Sequence, residues 1–154
     1  MKNIKILTSW VLVLVLMVII FNFSNQESII SSSNSTSLTE KIFSLCKLDK
    51  ILMFDSFHGL IRKIAHFSVY CLLGYLVYNA IYYSCKKDYI YLLALTILIV
   101  LIYAGSDEIH QLFVRGRSGE FRDVIIDTSG GSIGGMIYYF YLKIGSGIHD
   151  LAKR

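Results

Sequence analysis

Four separated stretches, each close to the roughly 20 apolar residues a helix needs to cross a bilayer, lie at positions 4–23, 64–83, 89–105 and 124–144. Within hydrocarbon a chain must satisfy its backbone N–H and C=O groups internally, so such runs fold as helices. Four of them leave little of 154 residues for anything else. The expectation is an all-α integral membrane four-helix bundle, a single membrane domain over 1–154 with a polar extracytoplasmic loop and a motif cluster. With 55% of residues hydrophobic and 17% charged, the segments between the runs hold too little apolar material for a soluble core.

The first run is nearly pure Val, Leu and Ile behind Lys2 and Lys5. It has the basic start of a signal peptide, yet Asn22-Phe23-Ser24-Asn25-Gln26 lacks a small-x-small cleavage pattern, so an uncleaved span is expected. The fourth run is the weakest, diluted by Asp127, Thr128 and several glycines. Between the first two runs lie a Ser-rich stretch (Ser31 to Ser37) and a mixed segment from Leu38 to Gly59. The latter shows a poor helical stripe of Leu38, Ile42, Leu45 and Leu52 that suits a surface helix only weakly. Asn34-Ser35-Thr36 matches a glycosylation acceptor, a cheap match in such a loop. Cys46, Cys71 and Cys85 are odd in number and form no CxxC, so neither a disulfide framework nor a zinc knuckle is indicated.

Orientation follows the distribution of Lys and Arg at span ends. Lys2, Lys5, Lys86, Lys87, Lys143, Lys153 and Arg154 fall on one side, with a belt of Tyr82, Tyr83, Tyr89, Tyr91, Tyr138, Tyr139 and Tyr141. Both termini are therefore expected in the cytoplasm, in a multi-pass protein of the cell membrane. The formal charge of +4 does not imply nucleic acid, because the basic residues flank apolar runs instead of forming one patch.

Whichever way the chain is inserted, the start of the second span and the end of the third meet the start of the fourth at one face. Those ends carry the unusual residues. Arg62, His66 and Tyr70 are spaced by four and share a helix face, with Lys63 beside them. Asp107, Glu108, His110 and Gln111 close the third span, and Asp123 precedes Asp127 by four. Arg115 and Arg117 lie in the connecting loop. Asp127 continues onto Gly130, Gly131, Gly134 and Gly135, a small-residue stripe that admits close helix approach and, through Gly130 and Gly134, an oligomer.

Each feature has a plainer reading. Arg62 and Lys63 can anchor headgroups, His66 can be a packed histidine bonded to a carbonyl, and the acids can merely hold the loop arginines. The coincidence of two histidines, four acids and several arginines on three ends favours function for the cluster as a whole. Asp107-Glu108-Ile109-His110 lacks the phosphate loop of a helicase, and HExxH is absent. Ser68, Ser106 and Ser118 have no nucleophile-elbow context.

The same residues carry a resemblance. Phe23-Ser24-Asn25-Gln26, Arg62-Lys63-Ile64-Ala65-His66-Phe67 with Tyr70, and Asp107-Glu108-Ile109-His110-Gln111-Leu112-Phe113 resemble the VanZ-like family, as do Gly116-Arg117, Asp123-Val124 and Asp127 with Gly130. The resemblance runs from the first span to the fourth and implies a bacterial multi-pass membrane protein. Name-giving members of that family are associated with resistance to teicoplanin-type lipoglycopeptides. Some have been called phosphotransbutyrylases, a label these residues do not support, since no phosphate-binding loop or coenzyme-A site is visible.

Two functions from different classes follow. In the first, the outer-face cluster binds a polar headgroup in the bilayer, such as a lipid-linked cell-wall precursor or the surroundings of a lipoglycopeptide. Arg62, Arg115 and Arg117 would contact phosphate, Asp107, Asp123 and Asp127 would hold those arginines, and Lys63 would steer the anion, with Tyr70 and Gln111 lining the site. In the second, a membrane enzyme acts on a lipid-linked substrate. His66 or His110 would be base or metal ligand, Asp107 or Glu108 its acid–base partner, and a divalent metal would account for the gathered acids. A third, blander reading is a structural subunit whose polar face docks a partner. A channel or transporter fits less well, since the charges gather at one face instead of crossing the membrane.

Overall fold

The computed structural model describes residues 2–25, 54–85, 87–115, 117 and 119–151. The Ser-rich stretch, the glycosylation acceptor and the stripe from Leu38 to Leu52 lie outside the described residues. Among those described, four helices account for nearly everything: α1 (Lys2–Ser24), α2 (Phe54–Ser84), α3 (Tyr89–Gln111) and α4 (Phe121–Leu151).

All four helices extend past the expected apolar runs. α2 begins ten residues before the run at 64, and α3 continues beyond Gly105 to Gln111. On α3 the polar residues Asp107, Glu108 and Gln111 stay helical because their side chains turn into the bundle. On α3 the buried positions Leu92, Thr96, Val100, Ala104, Asp107, Glu108 and Gln111 form one stripe at three- and four-residue spacing, apolar at first and polar at its end. Thr96 donates to the Leu92 carbonyl oxygen (2.8 Å), which satisfies its buried hydroxyl within the helix.

Segments Lys2–Ser24, Arg62–Ser84 and Tyr89–Gln111 are long and apolar enough to cross a membrane. The fourth expected span, 124–144, is helical throughout, but Asp127, Thr128, Ser129, Ser132 and the glycines keep α4 out of that set. Large apolar side chains face outward along α1 (Leu7, Val11, Leu14, Val18) and α3 (Leu98, Ile102), where no other described residue covers them, a surface suited to lipid.

α2 touches all three other helices, and its contact with α4 is the most extensive in the bundle. Glycine permits that closeness. A methyl group on Gly134 would overlap the Cys71 carbonyl oxygen, one on Gly130 the Phe67 carbonyl, and one on Gly74 the Gly131 carbonyl. Gly131 and Gly135 face Val100, Leu93 and Thr96 of α3 instead. The small-residue stripe is thus buried between helices of one chain, and the expected pairing of separate chains through Gly130 and Gly134 gives way to pairing inside the bundle.

The end of the bundle bearing Trp10 and Ser84 is aromatic. Tyr138 packs edge-on to Tyr75 with ring centroids 4.9 Å apart, and Tyr78, Tyr82 and Tyr141 complete its surroundings. Lys5 lies over Tyr83, Lys87 over Tyr91 and Lys143 over Tyr139. A hydrogen-bonded chain links three helices there: Tyr138 Oη donates to Asn79 Oδ1 (2.6 Å), and Asn79 Nδ2 donates to Ser9 Oγ (3.1 Å). The polar ends of the helices gather at the opposite end.

Candidate functional site

The four-residue spacing on α2 meets a four-residue spacing on α4 and the polar end of α3, and the result is a ladder of three rungs. At the rim, Arg62 Nη2 lies 3.8 Å from Asp123 Oδ2, with side chains 47% and 14% exposed. One helical turn deeper, His66 Nδ1 is 3.5 Å from Asp127 Oδ2, with side chains 26% and 0% exposed. One turn deeper again, the Tyr70 hydroxyl donates to Asp107 Oδ2 at 3.5 Å, and both residues are buried. Each donor on α2 faces one carboxylate, and exposure falls from rung to rung.

The lower rung is tied into the α3–α4 connection. Gln111 Nε2 donates to Asp107 Oδ2 (3.3 Å) and to Glu108 Oε1 (3.2 Å). Glu108 Oε2 accepts the backbone N–H of Glu120 at 2.9 Å, which folds the loop back onto the end of α3. Gly119 sits so close that a side chain there would press on the Glu108 carbonyl oxygen. Arg117, half-buried in that loop, donates to Gln111 Oε1 (3.3 Å) and to the Phe23 carbonyl oxygen (3.2 Å). It therefore joins the loop to the end of α1. Burial pulls its pKa below the ordinary guanidinium value, Arg62 adds to the effect, and Asp107 and Glu108 oppose it. An arginine titrates so far above neutrality that it stays cationic.

The end of α1 is a contributor that counting three span ends overlooks, although alternation of four spans places it at this face. His110 Nε2 is 3.3 Å from Asn25 Oδ1, and its ring lies 4.6 Å from that of Phe21. Tyr103 Oη donates to the Met17 carbonyl oxygen at 2.6 Å, a second tie between α1 and α3. Ser24 is buried beside these contacts. The Phe23-Ser24-Asn25 corner was the signal in the sequence.

Several expected pairings differ. Of the acids expected to hold arginines, Asp123 does so; Asp127 takes His66, and Asp107 takes Tyr70 and Gln111. The helix rotation decides this, because Asp127 is a full turn below Asp123 and faces the α2 residue a full turn below Arg62. His66 is oriented by a carboxylate and not by a backbone carbonyl. The two histidines take separate partners. Lys63 and Arg115 have no partner among the described residues. Nor do three His, Cys, Asp or Glu side chains converge among them in the way a metal site needs, so the divalent-metal reading finds no donor set there.

The site also holds buried oxygens without a hydrogen-bond partner among the described residues: Asp107 Oδ1, Asp123 Oδ1, both carboxylate oxygens of Asp127, Thr128 Oγ1 and Ser24 Oγ. The His66–Asp127 approach is an ion-pair contact whose geometry falls short of a hydrogen bond. Buried polar atoms are normally satisfied, and burying an ionised carboxylate is costly unless it is paired.

A family model described as VanZ/LLP1 matches residues 9–142. No curated protein and no solved structure gave a match to the chain.

Proposed function

The chain belongs to the VanZ/LLP1 family, and on that premise we propose that it is a multi-pass protein of the bacterial cell membrane that binds a phosphate-bearing headgroup. The ligand is an envelope lipid or a lipid-linked cell-wall precursor, and binding alters susceptibility to teicoplanin-type lipoglycopeptides. The observation that carries this reading is the top rung. Arg62 is half-exposed, stands at the mouth of a buried acid–imidazole ladder and is steadied by Asp123 on one side only. A guanidinium has five donors, and the remaining ones suit phosphate oxygens. Lys63 and Arg115 add positive charge at the same end and attract an anionic headgroup.

The orientation belongs to this reading too. α4 turns its glycines and Asp127 toward α2 and α3, while Ile133, Met136, Ile137, Phe140 and Ile144 face outward. That outer face supports reading α4 as the fourth crossing. With four crossings the lysine–tyrosine end carries both termini in the cytoplasm, and the ladder faces the extracytoplasmic side.

The test is lipid retention. Purified protein from vesicles of phosphatidylglycerol and phosphatidylcholine is expected to keep bound phosphatidylglycerol in native mass spectrometry. Arg62→Ala should weaken that retention about tenfold or more, the weight of a charge-assisted hydrogen bond of about 1.5–3 kcal/mol. Arg122→Ala, an exposed arginine near the same end, should change little. Equal retention by the Arg62→Ala protein would remove Arg62 as the headgroup contact.

A further inference from the structure

We infer that the middle rung of the ladder is an acid–base dyad, in which His66 is the catalytic residue for hydrolysis of a membrane-lipid phosphodiester and Asp127 is its positioning residue. The inference rests on the reading of Arg62 as the phosphate contact.

Graded burial carries it. Asp127 is fully buried and its side chain faces Nδ1 of His66, while the imidazole keeps 26% exposure. The carboxylate is thus behind the ring and the ring is at the mouth. Among the described residues Asp127 has no other cationic partner and no hydrogen-bond donor, so its charge is directed at the imidazole. A carboxylate facing one ring nitrogen favours the tautomer protonated there, leaves Nε2 as the proton acceptor and stabilises the imidazolium once formed. Arg62 lies four residues away on the same face of α2, one turn nearer the rim, so a phosphate held there sits above His66. Tyr70 and Asp107 lie one turn below and close the ladder toward the core. The charged groups around the imidazole are Arg62 on its own helix, Asp127 on α4 and Asp107 on α3.

The step uses water as co-reactant. His66 Nε2 takes a proton from the water as its oxygen forms a bond to phosphorus. The bond from phosphorus to the headgroup oxygen breaks, and the imidazolium returns the proton to the departing alkoxide. Phosphatidylglycerol then gives phosphatidic acid and glycerol, with no change of oxidation state. Arg62 holds the non-bridging oxygens as charge builds on them.

The experiment follows glycerol release from phosphatidylglycerol vesicles carrying the full chain, with lipid retention measured on the same preparations. The wild type is expected to release glycerol faster than empty vesicles. His66→Gln, which keeps a hydrogen-bonding group beside Asp127, should lose about 10²–10⁴-fold in rate, the usual weight of a general base, while retaining lipid normally. Asp127→Asn should lose rate and Asp127→Glu should regain part of it. Added imidazole should partly restore His66→Ala, a rescue that a structural role would not produce. Two results overturn the dyad: no release by the wild type above empty vesicles, or His66→Gln matching the wild type. If lipid retention persists in either case, the headgroup reading stands without the dyad. Loss of retention in the wild type would remove both.

Discussion

Gly134→Val is expected to prevent the bundle from closing. α2 and α4 are in their most extensive contact at this glycine, and even a methyl group there would overlap the Cys71 carbonyl oxygen and lie 2.9 Å from the Tyr75 nitrogen. Those atoms belong to a helical backbone and cannot swing aside as a side chain can. Overpacking by a methylene or two typically costs about 1–3 kcal/mol. Here the helices themselves have to separate, so the loss exceeds about 3 kcal/mol, a large fraction of the stability of an ordinary domain. Thermal unfolding of the purified protein in detergent measures it. Gly105→Ala is the matched control, because a methyl group there meets nothing within 4 Å. Relief of glycine's backbone entropy should leave that variant as stable as the wild type or better by about 0.5–1 kcal/mol. A Gly134→Val protein that unfolds at the wild-type temperature would mean that α2 and α4 are not in close contact.

His66→Leu is expected to destabilise the protein by roughly 3 kcal/mol, and the double variant His66→Leu with Asp127→Asn to recover most of that loss. Removing the imidazole leaves the buried Asp127 carboxylate with no group facing its charge, and an uncompensated buried charge costs about 3–5 kcal/mol. The lower end applies because His66 keeps 26% side-chain exposure and is partly screened by solvent. Asparagine fills nearly the same volume as Asp127 without the charge, so the double variant removes the cause of the penalty. Unfolding midpoints of the two single variants and the double variant form a cycle. Additive losses would show that the two side chains do not interact.

Much of this arrangement was legible before the structure. Runs of apolar residues placed the four helices, and four-residue spacing put Arg62, His66 and Tyr70 on one face of α2 and Asp123 with Asp127 on one face of α4. The pattern of charged ends also placed the cluster at one face. Helix ends were less legible: α3 runs on through Asp107 and Glu108, since those side chains are buried against the loop and hydropathy alone counts them as exits. Partner choice was not legible either. Whether Asp127 meets an arginine or His66 depends on how far α4 is rotated about its axis, and the rotation is set by the glycines seated on α2. The same rotation explains why Gly130 and Gly134 serve the chain's own packing, since a small-residue stripe reads identically whether the helix it receives is internal or foreign. The role of α1 rests on backbone acceptors, the Phe23 and Met17 carbonyls, which residue identity does not advertise.

Headgroup recognition at the ladder, with its effect on lipoglycopeptide action, is tested most directly by susceptibility. A sensitive Gram-positive host would express the wild type or Arg62→Ala at matched membrane abundance and be challenged with teicoplanin, using vancomycin for comparison. The expected result is raised teicoplanin tolerance with the wild type, lost in Arg62→Ala, with vancomycin less affected. Equal tolerance in the two strains, or none with an abundant wild-type protein, would contradict it.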